Sequence, residues 1–419
     1  MHDFEYKGKD LYCEDVAVKD VAAAVGTPFY LYSHKTLTDH YNKLAKAFKA
    51  VKPLICFSMK ANSNLAVIKT LVKAGAGLDI VSGGELFRAL KVGVDPKKIV
   101  YAGVGKTRAE IQDAIKAGIL LFNVESPNEL VVINEIAGKL KKKVNVSLRI
   151  NPDVEASTHS YITTGKKESK FGIELNTAEA VFLDRARYHN VDLCGIHVHI
   201  GSQITQSEPF VKAFRKVLIF MMQLEKHGTK IKFLNLGGGL GIIYNDEKPQ
   251  TADEFAERVL PLLKGSKFQV VFEPGRFICG NAGIFVTRVL YPKKTQAKNF
   301  IVVDGGMNDL IRPSLYGAYH EVLAVTKNEI LKRIKADVVG PVCETGDFLA
   351  KDRNVPDFQT GDLIALMSAG AYGFTMSSNY NSRPRVPEVM VSGTKFEVVR
   401  KQESFADLIK GETIPSFIK

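Results

Sequence analysis

The chain has 419 residues, of which 45% are hydrophobic and 24% charged, long enough for two or three domains and ordinary for a globular protein. Collagen, coiled-coil arrays and wholesale disorder are excluded, and no run of about 18 uncharged apolar residues predicts a transmembrane helix. The 57 Lys and Arg against 45 Asp and Glu leave a net charge of +12, but the cations are dispersed, and the densest run, Lys139–Lys143, lacks aromatic neighbours for base stacking. Nucleic-acid binding is therefore not expected. That run reads as a solvated helix end, or as attraction for an anionic substrate or cofactor.

The N-terminus, MHDFEYKGKD, has no apolar signal core, so a cytoplasmic chain is expected. The scattered cysteines Cys13, Cys56, Cys194, Cys279 and Cys343 form no CxxC pair and read as reduced thiols, four of them core filler.

Short β-like segments come first, at Leu11–Val16 and Phe29–Tyr32. Eight apolar strands follow, at Leu54–Phe57, Leu78–Val81, Ile99–Ala102, Leu120–Val124, Val144–Ile150, Gly195–Ile200, Phe233–Leu236 and Val270–Glu273. Most are separated by helical patterns such as Leu65, Ile68, Leu71 and Val72, which is the rhythm of βα units. Several strands are apolar on both faces, as parallel strands covered on both sides must be. Eight such units predict a (β/α)8 barrel, with an open doubly wound sheet as the alternative. The segment 151–175 is overlong, rich in Gly, Thr, Ser and Lys, and reads as an active-site loop. Beyond about residue 280 the pattern becomes β-rich, at Phe285–Leu290, Phe300–Val303, Ile334–Val339, Leu363–Met367 and Phe396–Val399. The expected organisation is a barrel over 34–280 and a β domain built from 1–33 and 281–419.

A barrel places chemistry at the C-terminal ends of its strands, and polar residues stand there in unit after unit: Lys60, Asp79, Glu125, Arg149, His199, Gly237–Gly239, Glu273 and Arg276. Lys60 in FSMKAN is either an exposed strand-end charge or a partly desolvated amine able to form a Schiff base with an aldehyde. The glycines of NLGGGLG let backbone N–H groups approach a phosphate, although glycines also make tight turns. AGVGKT at Ala102–Thr107 is not a nucleotide-binding loop, since Val100 stands where its first glycine is required. His197 and His199, read as two residues of one strand facing the same way, make at most half a metal site, and no metal is expected. One of them could stack on a flat ring instead. Glu273 could simply pair with Arg276, or keep a pyridine nitrogen protonated. Cys343 and Tyr372 sit among Gly, Ala, Thr and Pro rather than in apolar runs. A lysine for an aldehyde, glycines for a phosphate, a histidine for a ring and a glutamate for a ring nitrogen together suggest pyridoxal phosphate.

FSMKAN, HVHIGSQ, LGGGLG, EPGR, RPSLYGAYH, GPVCETGDF and SAGAYGF, in that order, closely resemble the diaminopimelate decarboxylases. These belong to the alanine-racemase-like class of pyridoxal-phosphate enzymes, and the resemblance runs from about residue 10 to 415. It implies a barrel plus a β domain, a homodimer with shared active sites, and conversion of meso-diaminopimelate to L-lysine and carbon dioxide. By the same resemblance Lys60 bonds the cofactor, His199 stacks on its ring and Glu273 meets its ring nitrogen. Ser202, Gly238, Gly239, Gly275, Arg276 and Tyr372 contact the cofactor, chiefly its phosphate. Asp79, Glu85 and Arg149 support the lysine. Arg276, Arg312, Tyr316, Glu344 and Tyr372 contact substrate, and Cys343 donates a proton, with Cys343 and Glu344 supplied by the partner subunit. Arg276 and Arg312 suit a distal carboxylate that ornithine and arginine lack, so unpaired charge would penalise those substrates. A decarboxylase for ornithine, arginine or carboxynorspermidine is the nearest rival. A non-catalytic cofactor-binding relative and a metal-dependent hydrolase are the others.

Overall fold

The computed structural model describes residues 2–154, 170–328 and 330–418. It divides into two compact units, Leu37–Cys279 and Met1–Thr36 with Gly280–Lys419.

The first unit is a closed eight-stranded parallel barrel. Its strands are Leu54–Ser58, Gly77–Ile80, Ile99–Tyr101, Leu121–Val124, Val144–Arg149, Val191–His197, Phe233–Asn235 and Gln269–Phe272. All eight correspond to predicted strands. The sixth begins four residues before its predicted start and carries a register shift between Leu193 and Gly195. It ends at His197, so His199 lies on the segment that follows and the two histidines do not share a strand. The following helices start on side-chain caps close after the strand ends: Asn64, Ser82, Thr107 and Ser126 each accept a backbone N–H of the first turn. Their core faces follow the helical period, as with buried Val67, Ile68 and Leu71.

The barrel interior is layered. Cys56, Val100, Leu121 and Val271 form a buried apolar cluster. Side chains on a strand return to the same face every second residue, so the next interior layer above Cys56, Leu121 and Val271 holds Ser58, Asn123 and Glu273. A switch from apolar to polar one layer from the top places hydrogen-bonding groups directly beneath the barrel mouth.

The second unit is β-rich. Phe29–Ser33 lies between Gly283–Lys294, antiparallel, and Glu388–Ser392, parallel, within a nine-stranded sheet. The sheet thus joins both ends of the chain, as the sequence predicts. The other early segment behaves differently: Phe4–Lys7, Asp10–Cys13 and Val16–Ala17 make a separate three-stranded sheet. Leu11, Cys13 and Val16 still pack into one core with Phe29, Ile284, Val286 and Ala365. No helix among the described residues is long and apolar enough to cross a membrane. Of the expected loop at 151–175, residues 155–169 lie outside the described residues. At its described ends Asn151 donates to the Ile173 carbonyl and Ile173 to that of Arg149.

Candidate active site

Lys60 stands on a single 3-10 turn, Met59–Ala61, directly after the first barrel strand. The side chain is exposed while Met59 and Ala61 are buried. The exposed strand-end amine is thus what the chain presents, and an amine that must meet an aldehyde from solution has to be reachable. Its charge acts on Asp79, Glu85, His199 and Glu273.

Glu273 is the hub of the polar layer. Asn123 Nδ2 donates to its Oε1 at 2.9 Å and Asn235 Nδ2 at 2.5 Å, while His197 Nε2 lies 3.1 Å from Oε2. Asn123 is itself held by the Ser147 hydroxyl. Burial alone would push the carboxyl up, but His197, Lys60 and Asn235 outweigh it and hold Glu273 below the usual carboxylate range. Asp79, buried on the second strand and bonded by the Ser58 hydroxyl, goes the other way. Burial and the charge on Glu273 push its carboxyl well above the ordinary value. The two buried carboxyls are thus driven in opposite directions by their surroundings.

The glycine turn after the seventh strand crosses close beneath its neighbours. Gly237 and Gly239 have φ of 65° and 108°. A Cβ on Gly238 would stand 2.1 Å from the Glu273 carbonyl, and one on Gly239 would stand 2.4 Å from that of Gly201. Gly275 is similarly tight, 3.1 Å from the Cβ atoms of Ser58 and Ala61, and brings the EPGR turn against the Lys60 turn. These cradles exclude side chains and leave backbone edges for a ligand. The Gly238 N–H donates to His199 Nδ1 at 3.2 Å, which puts the imidazole proton on Nε2. Burial, Lys60 and Arg149 hold the pKa of His199 well below its ordinary value, leaving a neutral flat ring at the mouth.

That shift carries a prediction. The unfolded chain protonates this imidazole near pH 6.5 and so binds more protons than the folded chain below it. Stability of the cofactor-free protein should fall as pH drops through 6.5, by up to about 1.4 kcal/mol per unit from this group. In urea titrations between pH 7 and 5, His199→Gln should flatten that slope; an unchanged slope would contradict a neutral imidazole.

Arg276 opens a short helix, Arg276–Cys279. It donates to the Tyr244 hydroxyl at 2.5 Å and to Ser202 Oγ at 3.1 Å, so Ser202 and Arg276 form one cluster that Tyr244 completes. Arg149 pairs with Glu125 at 2.5 Å, both buried. Glu85 accepts the Val81 N–H at 2.7 Å. Lys106, of the AGVGKT segment, buries its ammonium among the carbonyls of Gly103 and Asn123 and the Glu129 carboxylate, a structural tie at the strand ends.

In the β-rich unit Arg312 and Tyr316 bound a five-residue helix. Arg312 is buried, with Nη1 2.9 Å from His320 Nε2, while His320 Nδ1 lies 2.7 Å from the Met367 carbonyl. That pairing fixes the imidazole as an Nδ1–H donor and aims the guanidinium. Tyr372 has φ of 56°, a left-handed conformation that tyrosine adopts only at an energetic cost. Cys343 is exposed and the other four cysteines are buried, all five free.

Sequence reading missed Asn123, Asn235, Tyr244 and His320, and left His197 without a partner. Asn123 and Asn235 were visible as lone amides in apolar strands, FNV and FLN. Nothing local marks Tyr244, and His320 closes the RPSLYGAYH motif without a role of its own.

A family model described as pyridoxal-dependent decarboxylase, pyridoxal binding domain, matches residues 34–280, and the chain belongs to the pyridoxal-dependent decarboxylases. The cradle and donor set fit that cofactor: an exposed lysine, a glycine turn with no room for Cβ atoms, a neutral imidazole and an ionised carboxylate. The chain is similar to two proteins named diaminopimelate decarboxylase. That of Aquifex aeolicus is 47% identical over 407 residues, 97% of this chain and 96% of the relative. That of Pseudomonas aeruginosa is 48% identical over 414 residues, 99% of each. The crystal structure of diaminopimelate decarboxylase from Helicobacter pylori complexed with L-lysine superposes with a TM-score of 0.90 at 42% identity, over 94% of this chain and 98% of that one.

Proposed function

We propose that this chain decarboxylates meso-2,6-diaminopimelate to L-lysine and carbon dioxide, the last step of lysine biosynthesis. The observation that carries the reading is the Glu273 carboxylate, ionised and held by Asn123, Asn235 and His197 in the layer beneath the Lys60 turn. Pyridoxal phosphate supplies an aldehyde for the substrate's amino group and a protonated ring that takes up the electron pair released when the carboxylate leaves.

The chain's residues supply orientation and proton control. Lys60 would hold the cofactor through its aldehyde carbon, its amine reachable on the exposed turn. Glu273 would keep the ring nitrogen protonated by presenting a fixed negative charge, and the neutral imidazole of His199 would lie against the ring. Backbone N–H groups at Gly239 and Gly275, with Ser202 and Tyr372, would hold the phosphate, and Gly238 and Arg276 would also line the cofactor, the Gly238 N–H by fixing His199. Asp79, Glu85 and Arg149 support the lysine's surroundings. Arg276, Arg312, Tyr316 and Tyr372 hold the substrate, with the arginines on its distal carboxylate and Glu344 on its distal ammonium. Cys343 gives the proton that replaces carbon dioxide. The exposure of Cys343 and Glu344 supports a homodimer in which each copy lends this pair to the other's site. Five free cysteines support a reducing, cytoplasmic setting, and the dispersed positive charge supports small-molecule rather than nucleic-acid partners.

Carbon dioxide release from meso-diaminopimelate, ornithine, arginine and carboxynorspermidine tests the substrate. A site built to pair both distal charges should favour diaminopimelate in kcat/KM by about 10⁴-fold, because substrates without a distal carboxylate leave the arginines unpaired. Equal turnover of ornithine would contradict the assignment.

A further inference from the structure

Cys343 and Glu344 sit on an exposed turn, where a loop ordinarily samples several conformations. Two neighbours in the β-rich unit restrain it. The Cys343 N–H donates to Asn381 Oδ1 at 3.0 Å. Next to Asn381, Tyr380 sets its phenol against the Glu344 carboxylate, which raises the phenol's pKa. The 3-10 turn Tyr380–Ser382 therefore touches both adjacent residues. Asn381 has φ of 56°, a conformation that asparagine tolerates better than other side-chain-bearing residues.

From the buried side Asp347 closes the turn. Its Oδ2 accepts the Val342 N–H at 2.6 Å and its Oδ1 the Met307 N–H at 2.7 Å. Its own N–H donates to the Glu344 carbonyl at 3.0 Å. Gly340 makes room for the carboxylate: a Cβ there would lie 2.5 Å from both oxygens and from the Gly306 Cα. Met307 belongs to the segment running into the Arg312 helix, and Ser314 of that helix donates to the Gly346 carbonyl at 2.6 Å. The Cys343–Glu344 turn and the arginine-bearing helix are thereby one braced unit.

We propose that Asn381 and Asp347 are positioning residues that hold the Cys343–Glu344 turn so that the Cys343 thiol is fixed for proton delivery. The inference rests on the reading of Cys343 as proton donor. Proton transfer requires hydrogen-bond approach between heavy atoms, and displacement by about 1 Å can cost on the order of 10² in rate.

The test uses the holoenzyme and Asn381→Gly, which removes the acceptor but suits the left-handed backbone, beside Asn381→Asp, which keeps an acceptor. For Asn381→Gly we expect kcat to fall by about 10²-fold, with KM and the visible cofactor spectrum little changed and a larger solvent deuterium isotope effect on kcat. Asn381→Asp should recover most of that loss. Asp347→Asn, which turns one acceptor into a donor facing backbone N–H groups, should reproduce the rise in the isotope effect. Wild-type kcat in Asn381→Gly, with Cys343→Ala inactive, would overturn the positioning role alone. Full activity in Cys343→Ala as well would overturn the proton-donor reading beneath it.

Discussion

Replacing Lys60 with alanine is expected to abolish turnover of meso-diaminopimelate, with kcat down by at least about 10³-fold, within the range of acid–base contributions. The variant should fold, because the side chain is exposed on a single turn after its strand, and surface truncations rarely cost more than about 0.5 kcal/mol. Lys60 cannot be exchanged for a longer cation. An arginine would preserve the charge acting on Asp79, Glu85 and Glu273 but offers no deprotonated amine, so Lys60→Arg should be as inactive as Lys60→Ala. An active Lys60→Arg enzyme would show that charge, not the amine, is what position 60 contributes. Cofactor soaked into either variant should remain removable by dialysis.

Cys343→Ala is expected to separate binding from turnover. Cys343 lies in the β-rich unit and takes no part in the Glu273 layer, so the visible spectrum of bound cofactor should persist. The rate of lysine formation should fall by about 10² to 10⁴, the usual contribution of a positioned acid. Lys60→Ala and Cys343→Ala lesions then test sharing. If each copy lends its thiol to the other's site, a heterodimer of the two variants contains one site with both lesions and one intact site. Purified heterodimers should show about half the activity of the wild-type dimer, a figure that follows from one working site in two. No recovery in verified heterodimers would place Cys343 and Lys60 of the same copy in one site.

The barrel was legible because its strands are short, apolar on both faces and regularly spaced, a pattern imposed by burial against helices outside and side chains inside. Strand ends were less so. The sixth strand starts at Val191, where Asp192 interrupts the apolar run, and its register shift at Cys194 has no local signature. In the β-rich unit Phe348–Pro356 escaped notice because Lys351, Asp352 and Arg353 break its alternation, and its burial comes from pairing with Arg333–Val339. The residues proposed for the barrel site stand out in the sequence as polar residues where strands stop, and the resemblance across seven motifs singles out the rest. The layer holding Glu273 was not legible. Asn123, Ser147, Asn235 and His197 come from four strands, and only closure of the barrel sets them in one plane. His320 was hidden for a similar reason: its link to Arg312 spans eight residues but depends on Met367, far along the chain.

The central claim is that the Lys60 amine holds the cofactor at the barrel mouth. Borohydride reduction of the holoenzyme, proteolysis and mass mapping of the pyridoxyl-bearing peptide test it directly. The account predicts a single modified lysine, at position 60 within FSMKAN, and protection from modification when meso-diaminopimelate is added first. Modification at any other lysine, such as Lys106 in AGVGKT, or none at all in active enzyme, would contradict it.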